Sequence, residues 1–217
     1  MTITVFLADD HAVVRDGLGL ILARETDIAV VGGAGNGMEA VQSIQELHPD
    51  VAILDIAMPL LNGIDATRQV ADTCPGTRVI ILSMHCTREH IARALQAGAR
   101  GYVLKESAGT EVVNAVRVVR KGHSYLSQKA SDAMVEILAR GEGLAPAGSP
   151  FSRLSARERQ VLQLVVEGHS SAEIGDLLSL SPKTIETYRS RLMSKLEVDD
   201  VLDLLKLAIR HDLVALD

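Results

Sequence analysis

The chain has 217 residues, a formal net charge of −6 and few aromatic side chains: two Phe, three Tyr and no Trp. That length supports two modest domains, and cores short of aromatic residues must be built from Val, Ile, Leu and Ala, which favours helices and parallel strands. The acidic balance excludes a protein that coats nucleic acid indiscriminately. Two cysteines, Cys74 and Cys86, are too few for a disulfide scaffold. With no signal peptide and no apolar run of membrane length, a cytoplasmic protein with no membrane partner is expected.

Up to about residue 121, short β-type runs alternate with helical patterns. Strands are expected at 3–8, 28–31, 51–54, 79–82 and 102–104, separated by segments of helix periodicity such as Val14, Leu18, Ile21 and Leu22. Repeated βα units give a parallel sheet covered by helices on both faces. The most compact solution is a flavodoxin-like α/β fold with strand order 2-1-3-4-5. The glycine-rich stretch 32–37 lacks the Lys-Ser/Thr ending of a phosphate-cradling loop and reads as a flexible turn. His85, Cys86 and His90 have no second cysteine nearby and read as surface residues. A helix over 109–121 carries Val112, Val113, Val116, Val118 and Val119, more apolar directions than one packed stripe requires, which is compatible with an interface.

The chemistry gathers at the carboxyl ends of these strands, where open parallel sheets bind ligands. Asp9 and Asp10 follow the first strand, Asp55 ends the third, Ser83 ends the fourth and Lys105 lies just past the fifth. Crowded carboxylates repel one another unless a cation sits among them. Oxygen ligands at an exposed edge favour Mg²⁺, which typically takes one or two carboxylates and a phosphate. Asp55 is then a carboxylate nucleophile that becomes an aspartyl phosphate, with Asp9 and Asp10 holding the metal. Lys105 supplies a second positive contact and the Ser83 hydroxyl donates to the phosphate.

Residues 1–121 resemble the receiver domain of a bacterial two-component response regulator. Asp55 with Met58-Pro59 and Gly63 matches the phosphoacceptor signature, Asp9-Asp10 the acidic pocket, Ser83 the switch hydroxyl and Lys105 the lysine position. The resemblance implies that the Ala57 backbone carbonyl also holds Mg²⁺ and that Tyr102 is the aromatic switch, rotating inward when a new phosphate draws Ser83 towards it. It also implies a sensor histidine kinase as partner. The competing reading is a Mg²⁺-dependent phosphotransferase or phosphatase with an aspartyl-phosphate intermediate. Enzymes of the haloacid-dehalogenase type carry their nucleophile in Asp-x-Asp after the first strand, a motif that this chain lacks.

Residues 122–150 are expected to form a linker: a helix at 127–140 burying Met134, Ile137 and Leu138, then a Gly/Pro-rich hinge. From Leu154 the pattern is helical. Ser155 and Glu158 form a capping box, a second helix runs over 171–178, and Ser181-Pro182 caps a third. On the third helix Ile185, Leu192 and Leu196 share one face, while Lys183, Thr187, Ser190 and Ser194 lie opposite, flanked by Glu186 and Arg191. Residues 182–195 hold Lys183, Arg189, Arg191 and Lys195 against the single acid Glu186. Such a helix suits the major groove, with small polar groups reaching base edges and basic ones meeting phosphates. Arg189 falls near the inward face, from where it can snorkel to phosphate.

Residues 154–198 resemble the LuxR-type helix-turn-helix, through Leu154-Ser155, Arg157-Glu158, Val161-Leu162, Gly168, Glu173-Ile174, Leu178, Lys183-Thr184-Ile185-Glu186, Arg189 and Lys195-Leu196. That implies an all-α four-helix DNA-binding domain over 151–217, with Thr184 among the DNA-contact positions. Gly175 stands where alanine is usual and is expected to weaken the second helix by up to about 1 kcal/mol. In the family the last helix, here 199–211, pairs two such domains, with Val201, Leu204, Leu205 and Ala208 as candidates. Together the two resemblances identify the chain as a member of the NarL/FixJ class of transcription regulators. They imply a non-enzyme that dimerises on phosphorylation and acts on promoter DNA with RNA polymerase.

Overall fold

A computed structural model describes residues 2–139 and 150–210, without the side chains of 137–139. The chain divides into two compact units, Met1–Ala147 and Gly148–Asp217. In the first unit β1 (Ile3–Ala8), β2 (Ile28–Ala34), β3 (Val51–Asp55), β4 (Arg78–Ser83), β5 (Gly101–Leu104) and β6 (Tyr125–Leu126) alternate with α1 (Ala12–Leu22), α2 (Gly37–Leu47), α3 (Gly63–Thr73), α4 (Arg88–Gln96) and α5 (Ala108–Arg120), and α6 (Gln128–Ala139) follows. The sheet is parallel throughout, in the order β2-β1-β3-β4-β5-β6. Its first five strands have the order expected from the sequence, and β6 extends it by one short strand.

Strand alternation divides the core. Val51 and Ile53 of β3 face one side with Leu18 and Leu22 of α1 and Val112, Val116 and Val119 of α5. Ala52 and Leu54 face the other with Ile44 of α2, Ile64 and Val70 of α3 and Ile91 of α4. Val113 and Val118 of α5 are half-buried, so the additional valines are largely spent on packing. The most exposed apolar side chains of this unit are Val13 and Leu20 on α1, Met84 after β4 and Val135 on α6.

Two stretches differ from the sequence expectation. Gly32, Gly33 and Ala34 are not a flexible turn: they pair with Phe6, Leu7 and Ala8 and complete β2, because β1 offers a ladder that outweighs the weak strand propensity of glycine. Residues 125–139, expected in a linker, belong to the first unit. Tyr125 and Leu126 pair with Gly101 and Tyr102, and α6 packs on α4 and β5, burying Ala130 completely and Met134 nearly so. The expected contributions of Ile137 and Leu138 and the hinge at 141–149 lie outside the described residues.

The second unit opens with one turn of 3-10 helix, Pro150–Arg153, and continues with α7 (Ala156–Val166), α8 (Ser171–Leu178), α9 (Pro182–Leu196) and α10 (Val201–Arg210). Ser155 and Glu158 make the expected capping box, and Ser170 with Glu173 makes a second one. Ser181 caps α9, with Pro182 at its first position. Phe151, Val161, Leu162, Ile174, Ile185, Leu192 and Leu204 fill the core. Gly175 is better placed than helix propensity suggests. A Cβ there would sit 2.6 Å from the Leu180 carbonyl oxygen, so the α8–α9 turn closes only over a residue without a side chain. No described helix is long and apolar enough to cross a membrane.

Candidate phosphoacceptor pocket and nucleic-acid interface

β1, β3 and β5 deliver their terminal residues to one point. Asp9 follows β1 directly, and its N–H donates to the Ala34 carbonyl at 3.2 Å. Asp55 ends β3, and Lys105 is fixed past β5 by donating its backbone N–H to the Ser83 carbonyl at 2.8 Å. The Lys105 Nζ lies 2.8 Å from Asp9 Oδ2 and 2.9 Å from Asp55 Oδ2. Both carboxylates are buried. Burial, and next the charge of Asp9, push the Asp55 carboxyl up to about 6 despite the lysine. Burial opposes the charge of Lys105, but Asp9 and Asp55 outweigh it and hold its pKa above the usual lysine value. Gly63 permits the close packing behind the site: a Cβ there would lie 1.9 Å from the Asp55 carbonyl oxygen.

Asp10 sits at the exposed rim. Its Oδ1 is 2.7 Å from Nδ1 of His11, which is also 3.2 Å from Asp9 Oδ1. The charge of Asp10 is the main cause raising the His11 pKa. His11 was not among the site residues expected from the sequence, although its position just before α1 and beside two acids was the available signal. Asp9, Asp10, His11 and Asp55 each offer one ligand atom within 4.8 Å of the others. This oxygen-rich donor set fits a hard divalent cation. Ala57, the expected carbonyl ligand, is exposed in the loop after β3.

Ser83 ends β4 opposite Leu104, and Tyr102 of the neighbouring β5 pairs with Ile81, two residues before Ser83. The Ser83 Oγ accepts the His85 N–H at 3.0 Å, and the Tyr102 hydroxyl donates to the His85 carbonyl at 2.7 Å. Tyr102 is fully buried. The ring is thus already inward in this conformation, and the expected inward rotation would have to start from another one. His90 is likewise buried, not a surface residue as expected. It stacks on His85 with centroids 5.3 Å apart and shares a 2.6 Å hydrogen bond with the Thr87 hydroxyl, which caps α4. The same loop reaches α6, where the Cys86 thiol donates to the Lys129 carbonyl at 3.4 Å; β5 is tied to the residue before α6, as the Ser127 N–H donates to the Tyr102 carbonyl at 2.9 Å.

In the second unit α9 presents Lys183, Glu186, Thr187, Ser190, Arg191 and Ser194 to solvent, while Thr184 and Arg189 are half-buried. Thr184 shares a 2.8 Å hydrogen bond with Ser181 at the helix start. The basic run is smaller than its count. Lys195 is tied to Glu158 at 2.7 Å; burial opposes the Glu158 charge, but Lys195 and the Ser155 N–H hold its pKa below the usual range. Arg189 is tied to Ser171 at 2.9 Å. Lys183 and Arg191 line one groove with Ser181, Thr184, Thr187 and Tyr188.

Two family models match the chain: the response regulator receiver domain over residues 5–117, and the bacterial regulatory proteins of the luxR family over residues 152–208. The oxygen regulatory protein NreC of Staphylococcus aureus is 35% identical over 213 residues, which cover 97% of this chain and 98% of NreC. The chain is a NarL/FixJ-type response regulator. Among solved structures, a LuxR-family regulator from Aurantimonas sp. SI85-9A1 is 32% identical with a TM-score of 0.62, covering 64% of this chain and 99% of its own. RcsB, solved as a complex with DNA, is 27% identical with a TM-score of 0.60, covering 96% and 98%.

The regulator thus joins a receiver domain to a DNA-binding domain of transcription regulators. One expectation for its last helix needs correction. Leu204 and Ala208, named for pairing two domains, are fully buried within their own domain, where α10 packs on α7. Leu205 is half-buried. The exposed apolar pair of α10 is Val201 with Leu202.

Proposed function

We propose that Asp55 is the phosphoacceptor of this regulator and that a sensor histidine kinase supplies the phosphoryl group. The observation that carries the reading is the Lys105 ammonium, held within 3 Å of two buried carboxylates at the carboxyl edge of the sheet. An Asp55 carboxylate oxygen attacks phosphorus, the bond to the donor breaks, and the donor leaves with the bonding electrons. Lys105, released from full neutralisation by Asp55, contacts a phosphoryl oxygen, and the Ser83 hydroxyl donates to another. Asp9, Asp10, Asp55 and the Ala57 carbonyl would hold Mg²⁺, with His11 beside them, and the ion would neutralise phosphoryl oxygens. Because the Ser83 hydroxyl now accepts from His85, its turn towards phosphate alters the loop on which the Tyr102 hydroxyl rests.

The output is cytoplasmic transcription control by a homodimer on promoter DNA, in contact with RNA polymerase. Lys183 and Arg191 meet phosphates, Glu186, Thr187, Ser190 and Ser194 face base edges, and Thr184 and Arg189 support them. The helix-turn-helix favours this output over a dedicated phosphatase. Acetyl phosphate with Mg²⁺ should give a phosphorylated species on a phosphate-affinity gel for the wild type and none for Asp55→Asn, and tighter promoter binding for the wild type alone. Labelling of Asp55→Asn at the wild-type level would put the phosphoacceptor elsewhere.

A further inference from the structure

Ser171, at the first position of α8, bonds across to the recognition helix. Its hydroxyl donates to Glu186 Oε1 and accepts from Arg189 Nη1 at 2.9 Å. Arg189 Nη1 is also 3.6 Å from Glu186 Oε1. A hydroxyl can donate to the acid and accept from the base through one atom. The fold shields Arg189, whose side chain is 25% exposed, and leaves Glu186 outward at 62%. Glu186 Oε2 has no partner among the described residues.

We propose that Ser171 is a positioning residue for DNA specificity: with Arg189 it fixes the Glu186 carboxylate so that Oε2 selects a cytosine amino group in each half-site. The proposal rests on the DNA-binding reading of α9. A free glutamate in a groove lined with phosphates is repelled and mobile. Here one oxygen is anchored and part of the charge is offset by Arg189, so the other oxygen meets the groove in one orientation. In the major groove the cytosine N4 amino group donates, as a carboxylate requires. Guanine O6 and N7 and thymine O4 are acceptors that a carboxylate rejects, and adenine sets its N7 acceptor beside its amino group.

Selection of binding sites from a randomised duplex library tests this with the full chain treated with acetyl phosphate. The wild type should enrich one C·G column per half-site that depends on this trio. Ser171→Ala should flatten that column about tenfold and leave the others, and Ser171→Thr, which keeps the hydroxyl, should preserve it. Glu186→Gln should move the column towards A·T, since an amide suits adenine. Ser170 remains as the cap of α8 in every variant, and circular dichroism melts check that the domain is folded. An unchanged motif for Ser171→Ala or Glu186→Gln, or a uniform loss across all columns, would overturn the proposal. No enriched motif for the wild type would instead overturn the DNA-binding reading itself, and the clamp with it.

Discussion

At the scale of single residues, Asp55 costs the fold stability in its charged form. Its ordinary pKa of 3.8 is pushed up to about 6, so the folded state prefers the neutral acid. The stability tied to that preference is full below about pH 4 and is lost as pH rises through about 6. Asp55→Asn should therefore leave stability nearly unchanged at pH 4 and raise it by about 3 kcal/mol at pH 8, read as a higher melting temperature at pH 8 alone; equal melting shifts at both pH values would refute the cause. Mg²⁺ should stabilise the wild type at pH 8 and the variant much less. Asp9, Asp10, Asp55, Ser83 and Lys105 were legible in the sequence because a strand end is visible as the point where an apolar run stops. His11 and the buried ring of Tyr102 were not, since a rotamer is decided by neighbours distant in sequence. The pairing of Lys195, counted in the basic run of 182–195, was hidden for the same reason: its partner Glu158 lies on another helix.

At the scale of elements, caps made the helices of the second unit readable, since a serine with an acid three residues on satisfies orphan donors locally. Ser155→Ala should cost about 1 kcal/mol, read from denaturant unfolding. Gly175 separates local from tertiary logic. Propensity alone makes Gly175→Ala stabilising by up to about 1 kcal/mol, whereas the 2.6 Å approach of the Leu180 carbonyl makes it destabilising. A lower denaturation midpoint for Gly175→Ala is the expected result, and a higher one would favour propensity. β6 was not legible in the sequence because two residues show no period. Its importance comes from position: Ser127, just after it, donates to the Tyr102 carbonyl of β5, and the Lys129 carbonyl accepts from the Cys86 thiol, so β5 and the loop after β4 are each tied to the start of α6.

At the scale of the whole molecule, each unit has its own core, and a ligand of the acidic pocket should act on one of them. Beryllofluoride with Mg²⁺ should raise the thermal transition of the receiver and leave that of the helix-turn-helix domain in place, as calorimetry can read. The fold class and the division of labour were legible because alternating and purely helical periodicity persist over many residues. The extent of the compact unit built on the receiver was not, because it depends on where α6 docks. A receiver ending at residue 121 should melt lower than one ending at 139, having lost the burial of Ala130 and Met134. It should also behave differently in concentrated solution. With β6 removed, the outer rim of β5 presents unpaired amides and carbonyls, a template onto which a strand from another molecule can add. Two paired residues and one docked helix thus do more than end a domain: they blunt a sticky rim, and light scattering should show the shorter receiver associating where the longer one stays dispersed.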